Sequence, residues 1–395
     1  MRSEGRAGAG LRLWLLGLAP LALLAALLAA IVALEPADAI RGPAPPVERL
    51  SFQRVELTPQ GIAATVLNDG PDPVTIAQVQ VDEAYWDFAV RPERRLGHLG
   101  RARIEIPYPW VEGEVHELRL ISATGVTFDH TVEVAVATPE PSWRSLGVFA
   151  LIGLYVGVLP VALGLLWYPF VGRLGRRALD FVLALTVGLL LFLLVDAVGD
   201  GLAAAARLAE SFQGLALFAF AALFAYLAIE GLGRWLERRQ AAAGAAWVLA
   251  LLVAVGIGLH NFGEGLAIGA AFALGEAALG TLLVVGFTLH NTTEGLAIVA
   301  PLARVRTPVA RLALLGLIAG APTIAGAWLG GFVYSPVWSV VFLALGAGAI
   351  AQVIAQIARG TAGERKLAAL ARSAPVIGGL LVGFAVMYAT GMLVG

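Results

Sequence analysis

From residue 146 onward the chain is a succession of eight apolar stretches, at 146–168, 179–199, 214–232, 247–272, 281–302, 312–333, 337–358 and 376–394. Each is close to the ~20 residues a helix needs to cross the hydrocarbon of a bilayer. Backbone polar groups in lipid must be satisfied within the segment, so such stretches fold as spanning helices. Basic residues fall in alternate connections: Arg173, Arg176 and Arg177; Arg234, Arg238 and Arg239; Arg304, Arg306 and Arg311; Arg359, Arg365, Lys366 and Arg372. By the positive-inside rule these four connections are expected in the cytoplasm and the C-terminus outside. An earlier apolar run, 11–34, has Arg2, Arg6 and Arg12 at its start and reads as a signal-anchor helix within residues 1–40, N-terminus cytoplasmic. Its length favours an uncleaved transmembrane helix, although Ala37, Asp38 and Ala39 form a small-residue signal for cleavage.

Between these regions the character changes. Residues 47–137 regain charges and prolines and alternate with period two, as in VTIAQVQV (74–81), 103–106 and TVEVAV (131–136), with a turn signal at Asn68, Asp69 and Gly70. This pattern predicts a small all-β, immunoglobulin-like sandwich, delivered outside the cytoplasm by the preceding helix. Residues 138–145, with Pro139 and Pro141, are expected to form a stiff linker to the helical part, 146–395. With 59% hydrophobic residues, 14% charged and a net charge of −1, the chain is an integral membrane protein with no nucleic-acid signature.

Cysteine is absent, which removes disulfides and thiolate ligands and leaves imidazole and oxygen as donors to a metal. Histidine occurs five times, and His98, His116 and His130 are scattered over the β region, where ordinary surface roles are expected. The other two lie in a duplicated segment, LHNFGEGLAIGA (259–270) and LHNTTEGLAIVA (289–300), inside the fourth and fifth apolar stretches. His260 and Glu264, like His290 and Glu294, are four apart and share a helix face. The connection around 275–280 is short, so the two helices are antiparallel neighbours. Counted from Ala277, Glu264 and His290 are each 13 residues away and His260 and Glu294 each 17. Two cross-helix His–Glu levels about 6 Å apart are therefore expected, with Asn261 and Asn291 offering amide oxygens at their edges. Burying four ionisable groups costs roughly 10 kcal/mol on insertion scales, whereas an interhelical hydrogen bond returns about 0.6–2 kcal/mol. Simple helix adhesion does not account for them; ligation of a divalent ion does.

These residues resemble the ZIP family of divalent metal transporters, whose fourth and fifth helices carry related His-Asn-x-x-acid-Gly motifs. The matching positions are His260, Asn261, Glu264 and Gly265, then His290, Asn291, Glu294 and Gly295, and the resemblance spans about 146–395. It implies an eight-helix ZIP-like transporter bundle, movement of metal into the cytoplasm by alternating access, Zn(II) as first substrate with Fe, Mn or Co as others, and two neighbouring ions. Gly263 and Thr293 stand where the family commonly has proline, and Ala321 precedes Pro322 where many members have a glutamate for the second metal. No His-rich loop lies between the third and fourth stretches.

Secondary polar positions are Asp196 and Asp200, and Gln352 and Gln356, each pair four apart and read together as an outer vestibule, with a solvated helix end as the alternative for Asp200 and helix packing for the two glutamines; Glu230, four before Arg234, is read as an exit ligand or an ion pair. No catalytic residue or resident cofactor is expected. The expected partners are the metal and the lipid bilayer of the cell membrane, with a homodimer as a further candidate; the residues name no partner for the β domain. Two other functions stay open: an intramembrane zinc-dependent hydrolase, which would favour His-Glu-x-x-His, and a non-transporting metal-sensing receptor.

Overall fold

The computed structural model describes residues 18–30, 33, 46–239, 244–273, 277–362 and 373–392. Helix α1, Leu18–Ala30, belongs to a separate unit of 1–47 and carries exposed leucines along its length. It covers the middle of the apolar run expected at 11–34; most of the remainder lies outside the described residues.

The β region has nine strands: β1 Leu50–Thr58, β2 Gly61–Asn68, β3 Val74–Val81, β4 Ala84–Tyr85, β5 Ala89–Arg91, β6 Arg95–Leu96, β7 Arg101–Ile106, β8 His116–Ser122 and β9 Thr127–Val132. They form two antiparallel sheets, β1-β2-β7-β5 and β4-β3-β8-β9, with β6 also pairing β3. Alternation, with one register shift between Ile76 and Gln78, explains the packing: Ile76, Val79 and Val81 of β3 turn inward onto Ile62, Val66, Ile104, Leu118 and Leu120, a single core shared by both sheets. Asp82 and Glu83 adopt positive φ, as the two-residue turn from β3 to β4 requires. The strand expected at 131–136 stops at Val132. Beyond it the Ala135 N–H donates to Glu114 O and the Gly113 N–H to Ala135 O, so the chain leaves β8 for the loop before it.

The helices are α2 Trp143–Gly153, α3 Leu159–Leu165, α4 Tyr168–Val171, α5 Arg176–Ala206, α6 Gly214–Arg239, α7 Ala245–Ala273, α8 Ala277–Val299, α9 Val309–Gly320, α10 Pro322–Phe332, α11 Pro336–Ala362 and α12 Ala374–Met392. Among the described residues seven helical segments are long and apolar enough to cross a membrane; the eighth expected stretch contributes a shorter apolar helix, Ala374–Ala389, within α12. The protein is thus a membrane-embedded helical assembly with an attached β region. Ser142 caps α2 in a reciprocal capping box with Ser145, so helix begins inside the expected linker.

Two helices are interrupted where the sequence places proline. A π-helical turn, Leu154–Val158, joins α2 to α3 just before Pro160. The stretch expected at 312–333 divides into α9 and α10 at Pro322, whose nitrogen has no hydrogen to give the carbonyl four residues back. By contrast α7 and α8, with Gly263 and Thr293, run through without a break.

The helices sort into two groups. In one, α2 and α3 pack with α7, α8, α9 and α10; in the other, α5 packs with α6, α11 and α12, and α11 also lies along α7. The α7–α10 contact is backbone on backbone: a Cβ on Gly265 would stand 2.1 Å from Thr323 O, and one on Gly330 2.1 Å from Leu266 O. The β region meets the helices through Arg54 Nη1, which donates to Phe332 O at 3.2 Å, through an Arg49–Glu210 ion pair, and through Ser211 Oγ with Asp69 O.

Candidate metal centre

The duplicated segments face each other in the middle of α7 and α8. His290 Nε2 lies 2.5 Å and His260 Nε2 3.1 Å from the same oxygen, Glu264 Oε1. One ligand atom from each of the three falls within 4.8 Å of the others, the only such His/carboxylate group among the described residues. Glu264 is 4% exposed, and His260 and His290 present 11% of their side chains. The helical spacing places His260 and Glu264 one turn apart, and the hairpin brings His290 across to them.

Of the two cross-helix levels expected, the Glu264–His290 level forms and the His260–Glu294 level does not. His260 bonds to Glu264 on its own helix instead, and Glu294, 4% exposed, has no hydrogen-bond partner on either carboxylate oxygen. Counting residues from the hairpin fixes axial height; it does not fix which way each side chain turns, and His260 closes on the acid one turn along its own helix.

The two asparagines are completely buried, and both use the amide nitrogen rather than the oxygen. Asn261 Nδ2 donates to Ala319 O at 3.2 Å, in the last turn of α9. Asn291 Nδ2 donates to Val156 O, in the π turn, and to Glu264 Oε2, both at 2.9 Å. Asn261 Oδ1, Asn291 Oδ1 and Thr323 Oγ1 are buried without partners. The centre thus contains two imidazoles, two carboxylates and two asparagine amide oxygens with unused lone pairs. Such a set is chemically fitted to a cation: buried acceptors without donors cost free energy that a bound ion returns.

No protein-family model and no curated protein matches this chain.

Asp196 and Asp200 of α5 line a small pocket of about 30 Å³ together with His260, Glu264 and Phe287. Gln352 and Gln356 do not share it. They line a separate cavity of about 680 Å³ with Glu230, Arg234, Arg304 and Arg359, at the Arg-bearing ends of the helices. The expectation of one vestibule for both pairs is corrected: in α5 the pair follows a basic start, whereas in α11 it precedes a basic end, so they sit toward opposite ends of the bundle. Glu230 accepts from Arg359 Nη2 at 2.6 Å, Arg234 Nε at 3.0 Å and Gln352 Nε2 at 3.1 Å, which makes it an ion-pair anchor between α6 and α11. Between cavity and centre lies an apolar layer that includes Leu190, Val253, Ile257, Ile298 and Val353.

The β-region histidines do not converge. His98 Nδ1 bonds Gly70 O at 2.8 Å, His116 Nδ1 bonds Asp82 Oδ2 at 2.8 Å, and His130 stacks on Phe52. Glu276 lies outside the described residues. Sequence reasoning missed the backbone acceptors Val156 and Ala319 and the hydroxyl of Thr323, although Pro160 and Pro322 mark the interrupted helices that supply them.

Proposed function

We propose that the chain is a ZIP-like transporter that moves a divalent metal ion, Zn(II) first and Fe(II), Mn(II) or Co(II) as alternatives, across the cell membrane into the cytoplasm. The observation that carries this reading is the convergence of His260, His290 and Glu264 beside a Glu294 carboxylate with no partner of its own. Ligand atoms around a tetrahedral Zn(II) stand roughly 3.3 Å apart, so separations from 2.5 to 4.8 Å need only side-chain adjustment to accept one. Imidazole with carboxylate suits borderline divalent ions, and the absence of thiolate argues against a storage-type site.

In this reading the Arg-bearing ends face the cytoplasm, with the β region and the C-terminus outside. The large cavity then opens inward, the small pocket with Asp196 and Asp200 faces the outer side, and the apolar layer beneath the centre separates them. Alternating access is a relative shift of the α7–α8 group against the α5–α6–α11–α12 group, with α12 as the eighth spanning helix.

A His₂Glu set also serves hydrolytic zinc, but an intramembrane hydrolase would favour His-Glu-x-x-His with the glutamate as general base, and both repeats read His-Asn-x-x-Glu. Uptake into proteoliposomes across a panel of divalent ions tests the proposal. Flux in the wild type, abolished by His260→Ala and by Glu294→Ala, is expected; undiminished flux in both variants sinks it. Retained uptake after deletion of 47–137 would make the β region accessory and dismiss the receptor reading.

A further inference from the structure

The metal reading treats Asn291 as an oxygen donor at the edge of the site, yet its surroundings ask for something else. Both atoms within reach of its amide, Val156 O and Glu264 Oε2, are acceptors, so the NH₂ end must face them and both its hydrogens are used. Val156 O needs this donor for a reason visible in the chain. In an α-helix the residue four positions on would supply it, and that residue is Pro160, which has no N–H. The chain takes the π register there, with the Leu159 N–H reaching Leu154 O five residues back, and within this widened turn the side chain of a different helix donates to Val156 O. The other hydrogen of the same NH₂ group fixes Glu264, which both histidines share. Asn261 repeats half of the arrangement, its amide donating to Ala319 O just before the interruption at Pro322.

We infer that Asn291 is a positioning residue: its amide group bridges the Val156 carbonyl, in the π turn just before Pro160, to the carboxylate of Glu264, so that the π turn sets the orientation of the acid that holds the ion. The inference deepens the proposed function and rests on it only for the metal readout. Its structural half, the coupling of Asn291 to Pro160, is independent of any ion.

The experiment is a double-mutant cycle on the full-length protein in detergent, read by thermal unfolding without metal and by Zn(II) titration calorimetry. Asn291→Ala strands a buried carbonyl in the Pro160 background and should lower the melting temperature by several degrees, about 4 °C. In the Pro160→Ala background a backbone N–H is again available to Val156 O, and the same Asn291→Ala change should cost less than half as much. Equal losses in both backgrounds overturn the bridge.

The second arm uses Asn291→Asp, which keeps oxygen at the site and adds charge but loses both donated hydrogens. A positioning role predicts Zn(II) affinity about 10- to 100-fold weaker than wild type, as for other groups that orient a ligand. Unchanged or tighter binding would make Asn291 a direct ligand and overturn the inference. Should the wild type take up no Zn(II) or other divalent ion, the proposed function fails, while the thermal cycle still decides the bridge.

Discussion

Two completely buried asparagines make the clearest comparison in the molecule. Asn68, at the end of β2, donates through Nδ2 to Asp72 O and Leu96 O and accepts through Oδ1 from the Gly70 N–H, so every atom of its amide is matched. Asn291, in α8, is equally buried and equally committed through its nitrogen, but its oxygen has no partner. The histidines divide the same way. His116 donates from Nδ1 to Asp82 and accepts at Nε2 from the Val111 N–H, while Tyr108 and the Glu117 N–H complete the carboxylate. His260 and His290 instead crowd one oxygen of Glu264, with Glu294 unmatched nearby. Residue types are the same in the two places; only the closure of the hydrogen-bond network differs. A closed network holds a fold together, and an open one leaves acceptors that the proposed ion would satisfy.

That contrast can be broken by substitution. The largest effect is expected at the open centre: Glu264→Ala, which removes the oxygen shared by both imidazoles, should cut divalent-metal flux in proteoliposomes about a thousandfold, or ~4 kcal/mol. It should also abolish stabilisation by added Zn(II), which for a ligand at 100 times its Kd amounts to about 2.7 kcal/mol. Next, Asn68→Ala strands two carbonyls and one N–H and should cost about 3 kcal/mol in denaturant unfolding followed by tryptophan fluorescence, with metal flux unaffected. The third change has the opposite sign. Glu294→Leu exchanges an unmatched buried carboxylate for an apolar side chain of similar size, and the metal-free protein should gain about 2 kcal/mol while losing Zn(II) binding. A loss of metal-free stability there would erase the distinction between the two networks.

The smallest effect concerns Tyr108. Its hydrogen bond to Asp82, with burial and the charge of that carboxylate adding to it, pushes the phenol up to about 12. The proton is therefore held more tightly in the folded state, and the contribution to stability is complete below the ordinary phenol range near 10 and declines as pH rises toward 12. Burial opposes ionisation of Asp82, but the hydrogen bonds from Tyr108, the Glu117 N–H and His116 outweigh it and hold the carboxyl below its usual range, so its own contribution fades only in acid. Since Asp82 is 37% exposed, Tyr108→Phe should cost no more than about 1 kcal/mol and should flatten the alkaline decline. A steep decline in the variant would assign the effect to other tyrosines.

Much of this was legible in the residues. Hydropathy and alternation located the helices and placed β3 at Val74–Val81, because a buried face imposes its period on the sequence. The Glu264–His290 contact followed from equal distances to a hairpin. That His260 closes on Glu264 and not on Glu294 did not, since the turn of each buried side chain is set by packing against elements far away in sequence. Gln352 and Asp196 looked alike as members of i,i+4 pairs, and only the direction of each helix through the bundle separates them. Backbone acceptors such as Val156 O carry no letter of their own; their only trace was the proline four residues later.

The glycine contacts between α7 and α10 carry a mechanical consequence. With no side chains between the two backbones at Gly265 and Gly330, there is no soft layer to shear, and the pair behaves as one beam. His260 and Glu264 are mounted on that beam, so any displacement of these two side chains drags α10 along, and Phe332 at its far end passes the load to Arg54 of the β region. A single added methyl at Gly330 would therefore act less as a local defect than as a wedge that splits the beam.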